Sequence, residues 1–409
     1  MPTVPTPTAL ARDFDPTQLP AGFYANPYPW YDALRETDPV HRCPDGSWFL
    51  TRHADLERVY RDRVHFSSDK RVAFAPKYGS DSLLYAHHTT SLVFNDAPYH
   101  TRVRRQIVGA LTPHVLRALE PAVVTLVDRL LDGLAARGGG DAITDFAAAI
   151  PIEVIGNLLG VPRDEREPLR GWSLAILGAL EPVVTPDAFE RGNCAVHDFI
   201  AYLETLIERR RASPGHPDQD VLTRLIQGEE AGERLSPPEL LHNCIFLLNA
   251  GHETTTNLIG NGIELLIGHP DEAARLRAQP ELIQTCIEEC LRYESPNQLG
   301  NRLVVEPIEI GGVQFEPGAY FTLCIGAANR DPEAFPDADR FDIARSPNPH
   351  LAFAAGAHAC AGMAVARLEA RIAVLRTLQR FSTLRLDGTG SRAQRARFRG
   401  WQTLPIACT

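Results

Sequence analysis

Apolar residues recur every three to four positions along most of this chain, the spacing of helices with one buried face, and alternate only briefly. PYPWYDALRE (27–36) predicts a helix, VHRCPDGSWFLTRH (40–53) a hairpin turning at Pro44-Asp45-Gly46, and ADLERVYRD (54–62) a second helix. Residues 64–95 show no period and read as an irregular stretch with scattered aromatics and histidines. Helical spacing returns in YHTRVRRQIVGAL (99–111) and in PAVVTLVDRLLDGLAARGGG (121–140), whose glycines mark a C-terminal stop. Two helices joined by LGALEPVVTPDAF occupy 163–210. A long helix is predicted over 236–267, opened by Ser236, Pro237, Pro238 and Glu239. Another spans 281–293, stopped by Ser295-Pro296. RLVVE, IEIGGVQF and AYFTLCI then read as short strands, 330–350 as a proline-rich loop, and 362–380 as a late helix.

The fold class is therefore mainly α with small β-sheets. The 409 residues are 44% hydrophobic and 22% charged, enough to build a sizeable core. No linker or repeat divides them, so one domain over 26–409 is expected, behind a loose lead-in of residues 1–25 rich in Pro and Thr. With 51 acidic against 41 basic side chains, the net charge of −10 argues against a nucleic-acid partner. The start lacks the pattern of a secretory signal, and no apolar run reaches the length of a membrane span. The eight cysteines are scattered, with no CxxC pair, which disfavours a disulfide framework and fits a reduced, cytoplasmic protein without a membrane partner.

Four polar groupings interrupt this pattern. In Ala250-Gly251-His252-Glu253-Thr254-Thr255, a glycine, an acid and hydroxyls break an apolar helix. Threonines there can bond back to carbonyls and bend the helix into a polar notch, or the segment is simply an exposed surface. HExxH zinc chemistry is excluded because position 256 is Thr. Glu289 and Arg292 share a helix face, as do His100 and Arg104 with Arg105 beside them; each set also fits a solvated face. In HLAFAAGAHACAGM (350–363), Cys360 sits alone among Ala and Gly. It can be a small buried residue, a nucleophile near His358, or a thiolate ligand steadied by the helix that follows; a zinc site lacks a ligand set.

The last stretch resembles the haem-binding loop of cytochromes P450, F-x-x-G-x-H/R-x-C-x-G, through Phe353, Gly356, His358, Cys360 and Gly362. Ala354 departs from it, since that position is more often Gly. Ala250–Thr255 resembles the family's A-G-x-D/E-T-T segment, Glu289–Arg292 its ExxR motif, and Asp339-Arg340-Phe341-Asp342 the loop whose arginine, here Arg340, completes an ion cluster with that pair. The order and spacing hold from about Asn26 to Ile406.

The resemblance implies a single-domain haem protein of the soluble bacterial type, with haem b between the long distal helix and the Cys-loop helix. Cys360 is the implied iron ligand, with Phe353, Gly356, His358, Gly362, Ala250 and Gly251 lining the cofactor, and His100, Arg104 and Arg302 on the propionates. Glu253 and Thr254 are the implied proton-delivery pair, and Leu247, Ala250, Asn297, Gln298 and Leu299 line the substrate pocket. The expected activity is insertion of one oxygen atom from O2 into a largely apolar small molecule by a monomer. Electrons would come from an external iron–sulfur ferredoxin and its reductase, docking near Arg102, Arg105, Arg367 and Arg371. A peroxide-driven peroxygenase and a non-catalytic haem sensor are the alternatives.

Overall fold

The structure, a computed structural model, describes residues 6–216, 220–227 and 235–409. The chain forms two compact units from interleaved stretches: Met1–Ser67, Asn257–Cys360 and Leu384–Pro405 in the first, Ser68–Thr256, Ala361–Thr383 and Ile406–Thr409 in the second. Among the described residues, no single helix is long and apolar enough to cross a membrane.

The first unit is built on a five-stranded sheet in the order Val40–Arg42, Trp48–Leu50, Tyr320–Cys324, Leu299–Val304, Phe66–Ser67. The hairpin predicted at Pro44-Asp45-Gly46 forms as expected, with Gly46 at φ +84, a conformation that favours glycine. Trp48–Leu50 runs parallel to Tyr320–Cys324, and Leu299–Val304 antiparallel to it. Phe321, Leu323 and Leu50 pack in one buried cluster, which Ile310 joins from the separate two-stranded sheet of Ile308–Ile310 and Val313–Phe315. The expected loose lead-in is instead packed in part. Pro7–Arg12 and Ala21–Ala25 are short helices, and Phe14 and Phe23 share one cluster with Tyr31, Leu34 and Phe49.

 The Phe14 ring centroid lies 5.0 Å from that of Phe49, and the Phe23 centroid 5.6 Å from that of Tyr31. Two large apolar rings so near the N-terminus cost too much in water to leave exposed.

The second unit is helical. Tyr99–Ala110, Pro113–Arg137, Glu167–Gly178 and Pro186–Ala212 follow the predicted pattern, and the second of these stops at Gly138 in the left-handed region. The Trp172 and Phe199 rings, 4.7 Å apart, join the two helices on either side of the 179–185 link. The late helix, Met363–Arg380, is tied to Pro113–Arg137 by Arg376 on Asp128, with Nη2–Oδ2 at 2.6 Å. The long helix, Pro237–Gly268, opens with a reciprocal cap: Ser236 N donates to Glu239 Oε2 at 2.8 Å, and Glu239 N to Ser236 Oγ at 3.5 Å. Residues 64–95 are more regular than their sequence suggests, since Arg71–Tyr78 and Leu83–Thr90 are helices. Both have eight residues and one contains Pro76, so neither is long enough to show a period.

In the first unit, Glu289 and Arg292 are fully buried and paired twice, Nε–Oε2 at 2.7 Å and Nη2–Oε1 at 2.8 Å. Arg292 also donates to the carbonyls of Asn329, Ala338 and Arg340. Glu289 accepts from Asp342 N, Asn348 Nδ2 and Arg345 Nε, the last at 3.1 Å. The expected third member of the cluster is thereby corrected. Arg340 is exposed and contributes its carbonyl, whereas Arg345 brings its guanidinium to the carboxylate. Residue 340 stands at the tip of a turn closed by its own N–H on Asp337 O, and the chain turns inward only after Phe341. Arg345→Ala should therefore lower stability by about 1–3 kcal/mol, the scale of a lost bond to a buried charge. Arg340→Ala should stay within about 0.5 kcal/mol of the parent. Urea unfolding of both variants checks this, and equal losses would contradict the assignment.

Candidate active site

The loop ahead of the Met363–Arg380 helix is shaped by its backbone. Cys360 N donates to Phe353 O at 2.9 Å, and Ala354 N to Leu351 O at 2.8 Å, which folds 351–360 on itself. Gly356 has φ +68, and a Cβ there would stand 2.4 Å from Tyr60 O, so only glycine fits. Ala354 has φ +55, which accounts for the family's usual glycine. An alanine in this region is strained by about 1–2 kcal/mol. Its methyl group packs against the core of the first unit, which offsets part of that strain.

Burial separates Cys360 from six of the other cysteines, Cys43, Cys244, Cys286, Cys290, Cys324 and Cys408, while Cys194 is exposed on the Pro186–Ala212 helix. Desolvation pushes the thiols of Cys43, Cys244 and Cys324 up to about 12, and that of Cys408 upward, so these groups stay protonated. Cys360 is half-buried, two residues short of a helix cap at Gly362. A helix N-terminus favours a thiolate there. Among the described residues, no three His, Cys, Asp or Glu side chains are grouped to hold a metal ion. A lone thiolate donor on a loop of small residues fits a metal that brings its other ligands with it, as haem iron does. Arg302 lies in the same unit, its Nη1 donating to Asn301 O at 2.8 Å and its guanidinium 5.1 Å from the Tyr60 ring centre. His358 ends the short turn Gly356–His358 and is half-buried.

On the long helix, Thr254 Oγ1 donates to Ala250 O at 2.8 Å and Thr256 Oγ1 to His252 O at 3.0 Å. The threonines therefore bond back as expected, while the helix stays continuous through the segment. Glu253 is buried and Thr254 half-buried. Gly251 lies beside Ile155, where a Cβ would make ordinary contact at 3.6 Å. His100 is buried and Arg104 half-buried, four residues apart on Tyr99–Ala110.

The pocket residues divide. Leu247, Ala250 and Asn297 are half-buried, and Asn297 forms a bridge to Phe398. Gln298 is turned into the first unit, its Nε2 on Ser295 O at 2.7 Å, its N–H on Arg397 O and its carbonyl accepting from Ile325 N. Leu299 is 3% exposed and packs in the cluster of Phe14 and Tyr31. Both are structural residues rather than pocket walls, a correction that follows from the strand Leu299–Val304 beginning one residue after Gln298. Arg102, expected in a cationic docking patch, is paired with Glu239.

Sequence reading passed over two groups. Arg345 lies five residues beyond Arg340, and nothing in the sequence distinguishes the two. His87, His88 and His242 are buried with ring centroids 5.1 and 5.6 Å apart, and desolvation lowers the His242 imidazole to about 4. The His87-His88 pair in an aromatic stretch was the available signal.

Comparison with known proteins agrees with this arrangement. The sequence model described as Cytochrome P450 matches residues 178–397. A biotin biosynthesis cytochrome P450 of Bacillus subtilis (strain 168) is 37% identical over 367 residues, 89% of this chain and 91% of its own length. The cytochrome P450 monooxygenase PikC of Streptomyces venezuelae is 38% identical over 388 residues, 93% of this chain and 90% of its own. The solved structure of P450BioI with hexadec-9Z-enoic acid-ligated acyl carrier protein superposes with a TM-score of 0.90 at 35% identity, covering 95% of this chain and all of that one. The chain thus belongs to the cytochrome P450 family and is a haem-thiolate oxygenase.

Proposed function

We propose that this P450 is a ferredoxin-driven monooxygenase for a largely apolar small molecule, with haem b held by Cys360. The observation that carries the reading is the lone, half-buried Cys360 on a loop closed by its own N–H, directly before a helix. When bound, the haem supplies the activation of O2 and the transfer of one oxygen atom. The chain's own residues do the rest. Cys360 holds the iron, and the backbone closure at Phe353 fixes the thiolate's position. Gly356, Gly362, Ala250 and Gly251 keep the approach to a flat cofactor clear. His100, Arg104, Arg302 and His358 supply donors for its carboxylates. Glu253 and Thr254 move protons inward, a carboxyl next to a hydroxyl.

An apolar substrate is supported by the second unit. Lys77 Nζ donates to Glu181 O at 2.7 Å and Tyr78 Oη to Ala179 O at 2.5 Å, which ties 71–78 to the link after Gly178. Val72 and Val183, on these joined segments, are 78% and 54% exposed and so offer apolar surface to a ligand. Relatives at 37–39% identity include a biotin biosynthesis P450 and a vitamin D(3) 25-hydroxylase, so identity does not choose between chain-like and polycyclic substrates. Glu253 and Thr254 favour dioxygen with an electron donor over a peroxide-driven route.

Titration of the holoenzyme with saturated fatty acids, testosterone and glucose, read by the low-to-high-spin shift, should show shifts for apolar ligands and none for glucose. A shift with glucose alone would contradict the substrate class. Oxygen consumption should require reduced plant-type ferredoxin, and Arg105→Glu with Arg371→Glu should slow it and weaken its salt dependence. Full turnover on peroxide with none on ferredoxin would overturn the donor assignment. Thr254→Ala should raise the fraction of consumed oxygen released as peroxide, and an unchanged fraction removes Thr254 from the proton path.

A further inference from the structure

Asn249, His252 and Glu253 stand at positions i, i+3 and i+4 of the long helix, so their side chains form one contiguous patch. All three are buried, at 2%, 2% and 5% exposure. Both amide atoms of Asn249 and both ring nitrogens of His252 lack a hydrogen-bond partner among the described residues. Thr256 does not supply one to the ring, because its hydroxyl is spent on the His252 carbonyl. Each buried polar atom left unmatched costs about 1–3 kcal/mol. Four on one patch would be a heavy loss in a helix otherwise packed with Leu and Ile. Buried polar atoms without protein partners are ordinarily met by ordered water.

The patch also has a direction. Arg170, on Glu167–Gly178, is the charged group that acts on His252, and Arg170 is half-buried, so its side chain reaches toward solvent. Burial first, and the Arg170 charge second, hold the imidazole down at about 3. The ring is therefore neutral at ordinary pH, with one nitrogen donating and the other accepting.

We propose that Asn249 and His252 hold a buried water site that passes protons from the Arg170 side to Glu253. The inference rests on the proton-delivery reading of Glu253 given above. Water on the Arg170 side gives one proton to the water held between Asn249 and His252, and that water passes one of its own protons on to the Glu253 carboxyl. The neutral imidazole keeps one donor and one acceptor on the held water throughout and is itself neither protonated nor deprotonated. No electrons move, and one proton enters for each delivered. Asn249 and His252 are positioning residues in this scheme, since they act through Glu253.

A high-resolution crystal structure of the holoenzyme should show ordered water within hydrogen-bond distance of Asn249 and His252. In His252→Phe, which keeps the ring and removes its nitrogens, that water should be lost. Ferredoxin-driven turnover should fall at least about tenfold with a larger released-peroxide fraction. The ferrous–CO band and the spin-shift affinity for palmitic acid should stay unchanged. His252→Gln, which keeps a donor and an acceptor, should recover most of the turnover. Absence of water at the patch overturns the proposal, as does His252→Phe with parental turnover and peroxide release. Glu253→Gln separates the two readings: parental peroxide release there sinks the role of Glu253, while the crystallographic result reports on the water site itself.

Discussion

The Cys360 loop depends on a buried ion pair that its own chain must satisfy. Removing two charges from water is costly, and the attraction between them repays the cost only if the remaining donors and acceptors are also matched. Glu289 and Arg292 meet that condition by recruiting the chain that follows residue 328. Arg292 takes three carbonyls from 329, 338 and 340, and Glu289 takes donors from 342, 345 and 348. This long segment has almost no regular structure of its own, so the pair is what gives it a conformation. Two further bonds carry the order forward: His350 Nε2 lies 3.1 Å from Glu288 Oε2, and Leu351 N donates to Asn329 Oδ1 at 2.7 Å. Nine residues later comes Cys360. A helix face thus fixes a thiol about seventy residues downstream without touching it.

The long helix shows a different compromise. Its apolar faces bury it, yet it carries an acid, an imidazole, an amide and three threonines within eight residues. Two of the threonine hydroxyls are satisfied by carbonyls one turn back. That back-bonding lowers the helix's own stability slightly. In the proposed function the carboxyl of Glu253 and the adjacent hydroxyl of Thr254 serve proton transfer.

Much of this was legible in the sequence. Helical spacing located the long helix, its Ser-Pro-Pro-Glu opening and the late helix to within a residue or two, because long elements carry a clear period. The four motifs were legible because each needs particular residue types at fixed spacing. What escaped reading was what depends on three-dimensional closure. Arg340 and Arg345 are alike in sequence, and only the inward turn after Phe341 decides which reaches Glu289. Gln298 looked like a pocket residue from its place in a turn, yet its amide closes that turn on Ser295. Ala354 was visible as a departure, and its cause, a left-handed backbone, was not. Phe14 and Phe23 lay in a stretch read by its prolines and threonines rather than by its two aromatic rings.

The central claim is that Cys360, and no other of the eight cysteines, is the haem ligand. The ferrous–CO difference spectrum of the purified holoenzyme and its Cys360→Ser variant tests it most directly. The account predicts the band characteristic of thiolate-ligated haem in the parent and its complete loss in the variant. Persistence of that band in Cys360→Ser would contradict the account.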